Sequence, residues 1–358
     1  MEPAKTPSKA KAIVSRVAGI VTIPLLAVIA VLIVCAVSGK QLFGTAESFY
    51  GFTRYAAVVL ITTIALSINL SCGRFDFSLG SIAVLSSVVS GKITYGMLSG
   101  SCASAPVMLL MSILVGAALG AFSGGLYVLL KLPPIITSLG VALIFEGIVF
   151  SITGGSSVKH EIDNASMTFF RSSWWIHLLL ILLVVVVVYL VFDRSSFGYR
   201  YKALRAGQKI SINTGIKEVS NAVVCYAICG GLMGIVGFLQ ALPGNVIQTS
   251  VLNFGSISIM FTAFLPMFVG GFIGRFCNEK IGYTIAAFTM SLISSMFALF
   301  SEKSITPSIQ SIVVALMLVF ILIFLNNEQT CRDLVSGALF RRWVASIKAK
   351  KEKTEAKE

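Results

Sequence analysis

The sequence has little charge and few of the residues that commonly carry enzyme chemistry. Only 12% of its 358 residues are charged, whereas 56% are hydrophobic and the mean hydropathy is +0.91. This composition excludes a soluble globular protein and places nearly the whole chain in or beside lipid. The two histidines and seven scattered cysteines show no metal-ligand spacing, so we expect no metal site.

Motifs for nucleotide binding and catalysis are also missing. No GxxxxGK[ST] segment is present to hold phosphates, so we do not expect the chain to bind or hydrolyse ATP itself. Neither an HExxH motif nor a Ser/His or paired-Asp arrangement is placed on facing spans, which argues against an intramembrane enzyme. The net charge of +13 lies between and beyond apolar runs rather than on a soluble module, so we expect contact with lipid and not with nucleic acid.

Long apolar runs make up most of the sequence instead. A backbone within a bilayer must satisfy its own hydrogen bonds, and no alternating strand pattern is present, so the runs predict helices. We therefore expect an all-α, polytopic membrane protein with about ten transmembrane helices. The predicted spans are 17–37, 52–70, 77–97, 106–130, 135–152, 176–192, 219–242, 256–273, 281–300 and 309–325.

The distribution of Lys and Arg predicts the orientation of these spans. Most of the 28 basic residues fall on one side when both termini are placed in the cytoplasm, as the positive-inside rule requires. The domain prediction is a cytoplasmic segment over 1–16, a transmembrane domain over 17–325 and a cytoplasmic tail over 326–358. The first run resembles a signal peptide but is longer than a typical one, so we expect an uncleaved helix.

The longest polar segment between two spans, residues 193–217, is strongly basic. Its middle predicts a short helix over 208–214, with Gly207 and Gly215 as natural breaks. Two interpretations stay open, namely an ordinary anchoring loop and a cytoplasmic docking site for a partner. The candidate docking residues are Gly207, Gln208, Ile210, Ser211, Asn213, Thr214 and Gly215.

Two glycine stripes predict close helix packing. Gly116, Gly120 and Gly124 recur every four residues in the fourth span, and Gly230 and Gly234 do so in the seventh. Small residues at this spacing let helix backbones approach each other in a membrane.

Two acidic residues lie within or between spans. Asp76 stands where the third span begins, where it predicts either a helix cap with Ser78 or a contact to solute. Glu146 lies in the middle of the fifth span, and a carboxylate there is costly unless it faces a cavity or a partner. Glu146 therefore either borders a transport path or pairs with a polar neighbour such as Asn69.

Three segments resemble bacterial ABC-transporter permeases of the ribose and monosaccharide type, in the branched-chain amino acid and sugar permease family. They are CGRFDFSLGS (72–81), LPPIITSLG (132–140) followed by TGG (153–155), and SFGYRYKALRAG…TGI (196–216). They occur in the family's order over roughly residues 59–312. Arg74 replaces a family glycine, and Glu146 stands where sugar permeases usually carry arginine.

The resemblance implies the permease subunit of a binding-protein-dependent importer in a bacterial plasma membrane. It implies a cytoplasmic ATPase docking on 193–217, a second permease copy or paralogue, and an external solute-binding protein. The solute would be a sugar, a sugar derivative, a nucleoside or a signalling furanose. An ion-coupled secondary transporter is the alternative, with Glu146 and Asp76 as the candidate ion carriers. Residues that would border the path are Asn69, Asp76, Ser78, Thr137 and Glu146.

Overall fold

The chain is almost entirely helical where its structure is described. The computed structural model covers residues 9–39, 41–98, 104–155, 158–159, 165–243, 246–247, 253–298 and 306–326. Its helices are α1 (Lys9–Ser38), α2 (Ala46–Leu70), α3 (Ser78–Leu98), α4 (Ser104–Leu130), α5 (Pro134–Thr153), α6 (Ala165–Ser172), α7 (Trp174–Tyr189), α8 (Ser196–Ala206), α9 (Gln208–Asn213), α10 (Glu218–Ala241), α11 (Ile257–Phe261), α12 (Phe264–Ile273), α13 (Glu279–Ala298) and α14 (Thr306–Asn326). A π-helical turn, Leu190–Arg194, follows α7, and two-residue strands β1 (Val158–Lys159) and β2 (Val246–Ile247) pair antiparallel.

Eight helical segments within the described ranges are long and apolar enough to cross a membrane. They are Gly19–Ser38, Ala46–Leu70, Ser104–Leu130, Pro134–Thr153, Trp174–Arg194, Glu218–Ala241, Glu279–Ala298 and Ile309–Asn326. The third predicted span is the 21-residue helix α3, which is rich in serine, and the eighth is α11 with α12. These helices confirm the all-α polytopic class, while the total of ten spans and the side of each terminus stay predictions. The predictions for residues 1–8 and 327–358 lie outside the described residues.

The chain divides into two compact units, Met1–Thr306 and Pro307–Glu358. The described part of the second unit is α14, an apolar helix whose described side chains are exposed or half-exposed. The first unit contains the other helices. Within it, α2 and α10 are largely buried, whereas α7 presents mostly aliphatic side chains outward.

The two predicted glycine stripes meet each other. A Cβ atom on Gly116 of α4 would lie 2.3 Å from the carbonyl oxygen of Gly230 on α10, and one on Gly230 would lie 2.2 Å from the carbonyl oxygen of Gly116. Gly234 similarly approaches the carbonyl oxygen of Ser112. Backbone contact at this distance leaves no room for a methyl group, so the close packing predicted for both spans is confirmed.

The eighth predicted span is not one continuous helix. It breaks at Thr262 and Ala263, between α11 and α12. Pro266 explains the position, because proline lacks an N–H and its ring clashes with the carbonyl four residues earlier, that of Thr262. The predicted span over 256–273 is therefore helical on both sides of a break in its middle.

Candidate functional site

A buried polar cluster occupies the turn between α2 and α3. The Asp76 carboxylate is 1% exposed and accepts hydrogen bonds from the backbone N–H of Ser78 at 2.9 Å and from its hydroxyl at 2.6 Å. The Asn69 amide nitrogen donates to the other carboxylate oxygen at 3.5 Å. The hydroxyls of Ser78 and Ser123 lie 3.1 Å apart and join the cluster to α4. Asp76 thus caps the start of α3, which confirms the capping interpretation.

Arg74 also lies in this buried turn. In the sequence it stood out only because it replaces a family glycine. Its side chain is 2% exposed, and Nε and Nη1 have no hydrogen-bond partner among the described residues. The backbone N–H of Arg74 donates to the carbonyl of Asn69 at 3.0 Å, so the turn closes on the end of α2. Arg74 therefore adds a second buried charged side chain to this turn.

Glu146 ties α5 to the irregular segment that precedes α11. One carboxylate oxygen accepts the backbone N–H of Phe254 at 3.0 Å, and the other accepts the N–H of Ser256 at 3.0 Å together with the Ser256 hydroxyl. Phe254 has a φ of 66° and Asn253 one of 59°, conformations that are strained for residues other than glycine. The two backbone N–H groups lie in a strained turn outside any helix, so they have no helical carbonyl to bond. The Glu146 carboxylate accepts from them instead.

Glu146 pairs with a polar residue, Ser256, but Asn69 was wrong as the example of such a partner. Asn69 bonds to Asp76, and Glu146 bonds to residues more than a hundred positions later. Long-range backbone donors leave no signature in the sequence. α3 packs directly on the same turn, since a Cβ atom on Gly80 would lie 2.0 Å from the carbonyl oxygen of Ser256.

Within the described part of the chain, the side chain of Thr137 bonds to the residue that precedes its own helix. It is 5% exposed, and its hydroxyl donates to the carbonyl of Pro133 at 3.4 Å. The structure thus brings Asn69, Asp76 and Ser78 into one cluster and places Glu146 in a second. Their roles toward a solute stay predictions.

The basic segment 193–217 folds into two short helices, and α8 is firmly attached to the membrane-spanning helices. The Tyr201 hydroxyl donates to the carbonyl of Ile68 at 2.9 Å, at the end of α2. Arg205 makes two hydrogen bonds to Glu279 at the start of α13, at 2.8 and 3.0 Å, and this carboxylate raises the pKa of Arg205.

A second ion-pair group completes this attachment. Asp193, in the π-helical turn after α7, accepts from Lys202 of α8 at 2.7 Å and from Lys280 of α13 at 2.8 Å. α8 is consequently fixed to α2, α7 and α13, and a force on α8 would reach all three.

α9 is the short helix predicted around 208–214. It runs from Gln208 to Asn213, and Gly215 beyond it has a φ of +90°, which confirms both the helix and the glycine break. Ile210 is 74% exposed and Ile212 42% exposed, while Ser211 between them is buried. Gln208 donates to Glu218 at the start of α10, which fixes one end of the helix. α9 thus exposes two isoleucine side chains on an otherwise polar segment.

Sequence reasoning did not identify Ser256 and Tyr201, which connect distant elements. It also missed the aromatic side chains beside the two backbone interruptions. Phe75 and Phe77 flank Asp76, and Phe264 lies 5.7 Å from Phe75 between ring centroids. Pro266 was the available signal for the second interruption.

Comparison with known proteins identifies the family to which the chain belongs. Residues 49–322 match the model of the family described as branched-chain amino acid transport system, permease component. The autoinducer 2 import system permease protein LsrC of Photorhabdus luminescens is 23% identical over 190 residues, 52% of this chain and 55% of that protein. The galactofuranose transporter permease protein YtfT of Escherichia coli is 20% identical over 290 residues, 80% of this chain and 81% of that protein.

A third relative, the D-allose transport system permease protein AlsC of Escherichia coli, is 27% identical over 228 residues, 58% of this chain and 68% of that protein. The chain spans about half the length of the first curated relatives that it matches. No solved structure matches it. The family match covers the three segments at 72–81, 132–155 and 196–216 and confirms the resemblance drawn from them. The chain belongs to the family of permease components of branched-chain amino acid transport systems.

Proposed function

We propose that this chain is the membrane-spanning permease subunit of a binding-protein-dependent ABC importer for a sugar or a related small polar solute. The observation that carries this proposal is that α9 exposes two isoleucine side chains, Ile210 and Ile212, on a segment that is otherwise polar. Burying one isoleucine side chain contributes on the order of 1.5–3 kcal/mol, so Ile210 and Ile212 favour a partner with an apolar pocket. Family membership and the named relatives support the transport class.

The contacts of α8 give this docking surface a mechanical role. A partner that moves when it binds and hydrolyses ATP would displace α9, which one residue, Gly207, joins to the end of α8. α8 would pass the displacement to α2 through Tyr201, to α7 through Asp193 and to α13 through Glu279. Short packed elements that move as rigid bodies are a common means of alternating access.

The remaining partners follow from this class of transporter. ATP would be bound and hydrolysed by a separate cytoplasmic ATPase, and this chain would transport rather than catalyse. A second copy or a paralogue would form the other half of the path, and an external binding protein would deliver the solute. The protein would lie in the bacterial plasma membrane with 193–217 in the cytoplasm.

The predicted path residues lie at or near the two interruptions of the helical core. Asn69, Asp76 and Ser78 surround the turn before α3, and Thr137 lies near the start of α5. Glu146 holds the turn before α11. We propose that these residues position the side chains that line the path and do not line it themselves, because each is at most 5% exposed.

The test is to replace Ile210 by Asp and to measure solute uptake in cells that express the complete importer. The variant should insert at the wild-type level, because the side chain is exposed, but lose most ATP-driven uptake. Ile210→Leu is the matched control and should retain uptake, since it keeps an apolar group of equal size. Normal uptake by Ile210→Asp would show that the segment is only an anchor. Uptake that needs no ATPase and collapses with an uncoupler would instead identify an ion-coupled transporter.

A further inference from the structure

The short helix α11 exposes a surface whose composition differs from that of the outward face of α7. Ser258, Phe261 and Thr262 are exposed and share one face of α11, at positions i, i+3 and i+4. The Phe261 ring lies 5.3 Å from Phe264 and 6.4 Å from Phe77, between centroids. The exposed face therefore combines a phenyl ring, backed by two others, with two hydroxyl groups.

The outward face of α7 shows what a lipid-facing surface looks like in the same protein. Between residues 177 and 190, the side chains that α7 and the start of the following turn expose are all aliphatic. They are Leu179, Leu182, Leu183, Val186, Val187 and Leu190. A helix that faces only lipid gains nothing from hydroxyls, so the α11 face is adapted to a different environment.

The interruption after α11 indicates that this environment contains water. Thr262 lies 11 residues before the end of α12 at Ile273, about 16 Å along a helix, which places it near the middle of the membrane. Irregular backbone at that depth is tolerated only where it is buried in protein or lines a water-filled cavity. The side chain of Thr262 is exposed, so burial in the described part of the protein does not account for it.

The hydroxyls are arranged to accept hydrogen bonds. Ser258 donates to the carbonyl of Gly255 at 2.7 Å, and Thr262 donates to the carbonyl of Ile259 at 2.7 Å. Each hydroxyl oxygen keeps lone pairs for an incoming O–H donor. A sugar ring offers such donors at its edge and an apolar C–H face that packs on an aromatic ring.

We propose that Ser258, Phe261 and Thr262 line the solute path, where the Phe261 ring contacts the face of a monosaccharide and the two hydroxyls accept from its O–H groups. The inference rests on the proposed function and names residues of the path itself. Glu146 then acts as a positioning residue, because it holds the turn from which this face begins.

Water access to the face is tested first, without reference to any solute. Ser258→Cys and Thr262→Cys are treated in the complete importer with a membrane-impermeant, positively charged methanethiosulfonate reagent. Leu183→Cys on α7 is the matched control, and labelling is measured above that of the unsubstituted chain, which has seven cysteines of its own. Both α11 variants should react at least about tenfold faster than the control, since the thiolate forms only in water. Rates equal to that of Leu183→Cys would overturn the inference.

The contact to the sugar ring is tested with radiolabelled D-allose and D-galactose. Phe261→Leu should lower the maximal uptake rate about tenfold at unchanged membrane abundance, equivalent to about 1.4 kcal/mol, whereas Phe261→Tyr keeps the ring and should stay within about twofold. Equal uptake by both variants would overturn the ring contact. If the wild-type importer took up neither sugar, the proposed sugar specificity would fail, and the labelling rates alone would decide whether α11 lines the path.

Discussion

The bonds made by Glu146 allow one substitution to be worked out in detail. In Glu146→Gln the side chain keeps its size but retains one acceptor oxygen, whereas the native carboxylate accepts from two backbone N–H groups and one hydroxyl. The amide NH₂ must then face either Phe254 or Ser256. A buried donor left unsatisfied costs about 1–3 kcal/mol, and the remaining bonds lose their charge assistance. We expect a total loss of about 2–4 kcal/mol in the free energy of unfolding.

The loss should appear as lower membrane abundance and as a lower melting midpoint of the solubilised, purified protein. A change of this size lowers the midpoint by several degrees in a chain of this length. Ser256→Ala removes only the hydroxyl and leaves both N–H bonds intact, so it should cost only about 0.5–1.5 kcal/mol. Glu47→Gln is the matched control, since it makes the same chemical change on an exposed residue at the start of α2. It should leave the midpoint within about 1 °C of wild type.

A wild-type midpoint for Glu146→Gln would refute the idea that this carboxylate stabilises the turn before α11. Uptake per assembled importer, measured on the same preparations, adds a second result. Unchanged uptake per complex would identify a purely structural carboxylate, and altered uptake would identify one whose turn shapes the path. In the double variant with Ser256→Ala, the losses should be less than additive, because both changes affect one set of hydrogen bonds.

Two further predictions concern packing and orientation. Gly116→Ala should destabilise the protein by about 2–3 kcal/mol or more, because the new methyl group would lie 2.3 Å from the carbonyl oxygen of Gly230. Gly125→Ala in the same helix meets no atom within 4 Å and should be neutral or mildly stabilising, so equal melting midpoints for the two variants would contradict the packing. Reporter fusions should place Lys209 in the cytoplasm and Ser157 outside, and finding both on one side would rule out the ten-span orientation.

The class of the protein, most of its helices and the position of the short helix α9 could be predicted from the sequence alone. These features depend on local properties that a sequence displays directly. Apolar runs of membrane length can satisfy their backbone only as helices, and glycines at 207 and 215 break the chain on either side of α9. The close packing of the stripes that include Gly116 and Gly230 could be predicted for the same reason, since each stripe lies on one helix.

Which distant residues meet could not be predicted from the sequence and follows from the three-dimensional packing. The partners of Glu146 are the backbone donors of a turn more than a hundred residues away, and backbone groups are the same at every position of a sequence. The attachment of α8 through Tyr201 also depends on a carbonyl, that of Ile68. The exposed hydroxyls beside Phe261 became recognisable as a distinct surface only when three-dimensional packing separated them from the aliphatic face of α7. Hydrophobicity determines that a segment enters the membrane, whereas the packing of its neighbours determines which of its faces meets lipid, protein or water.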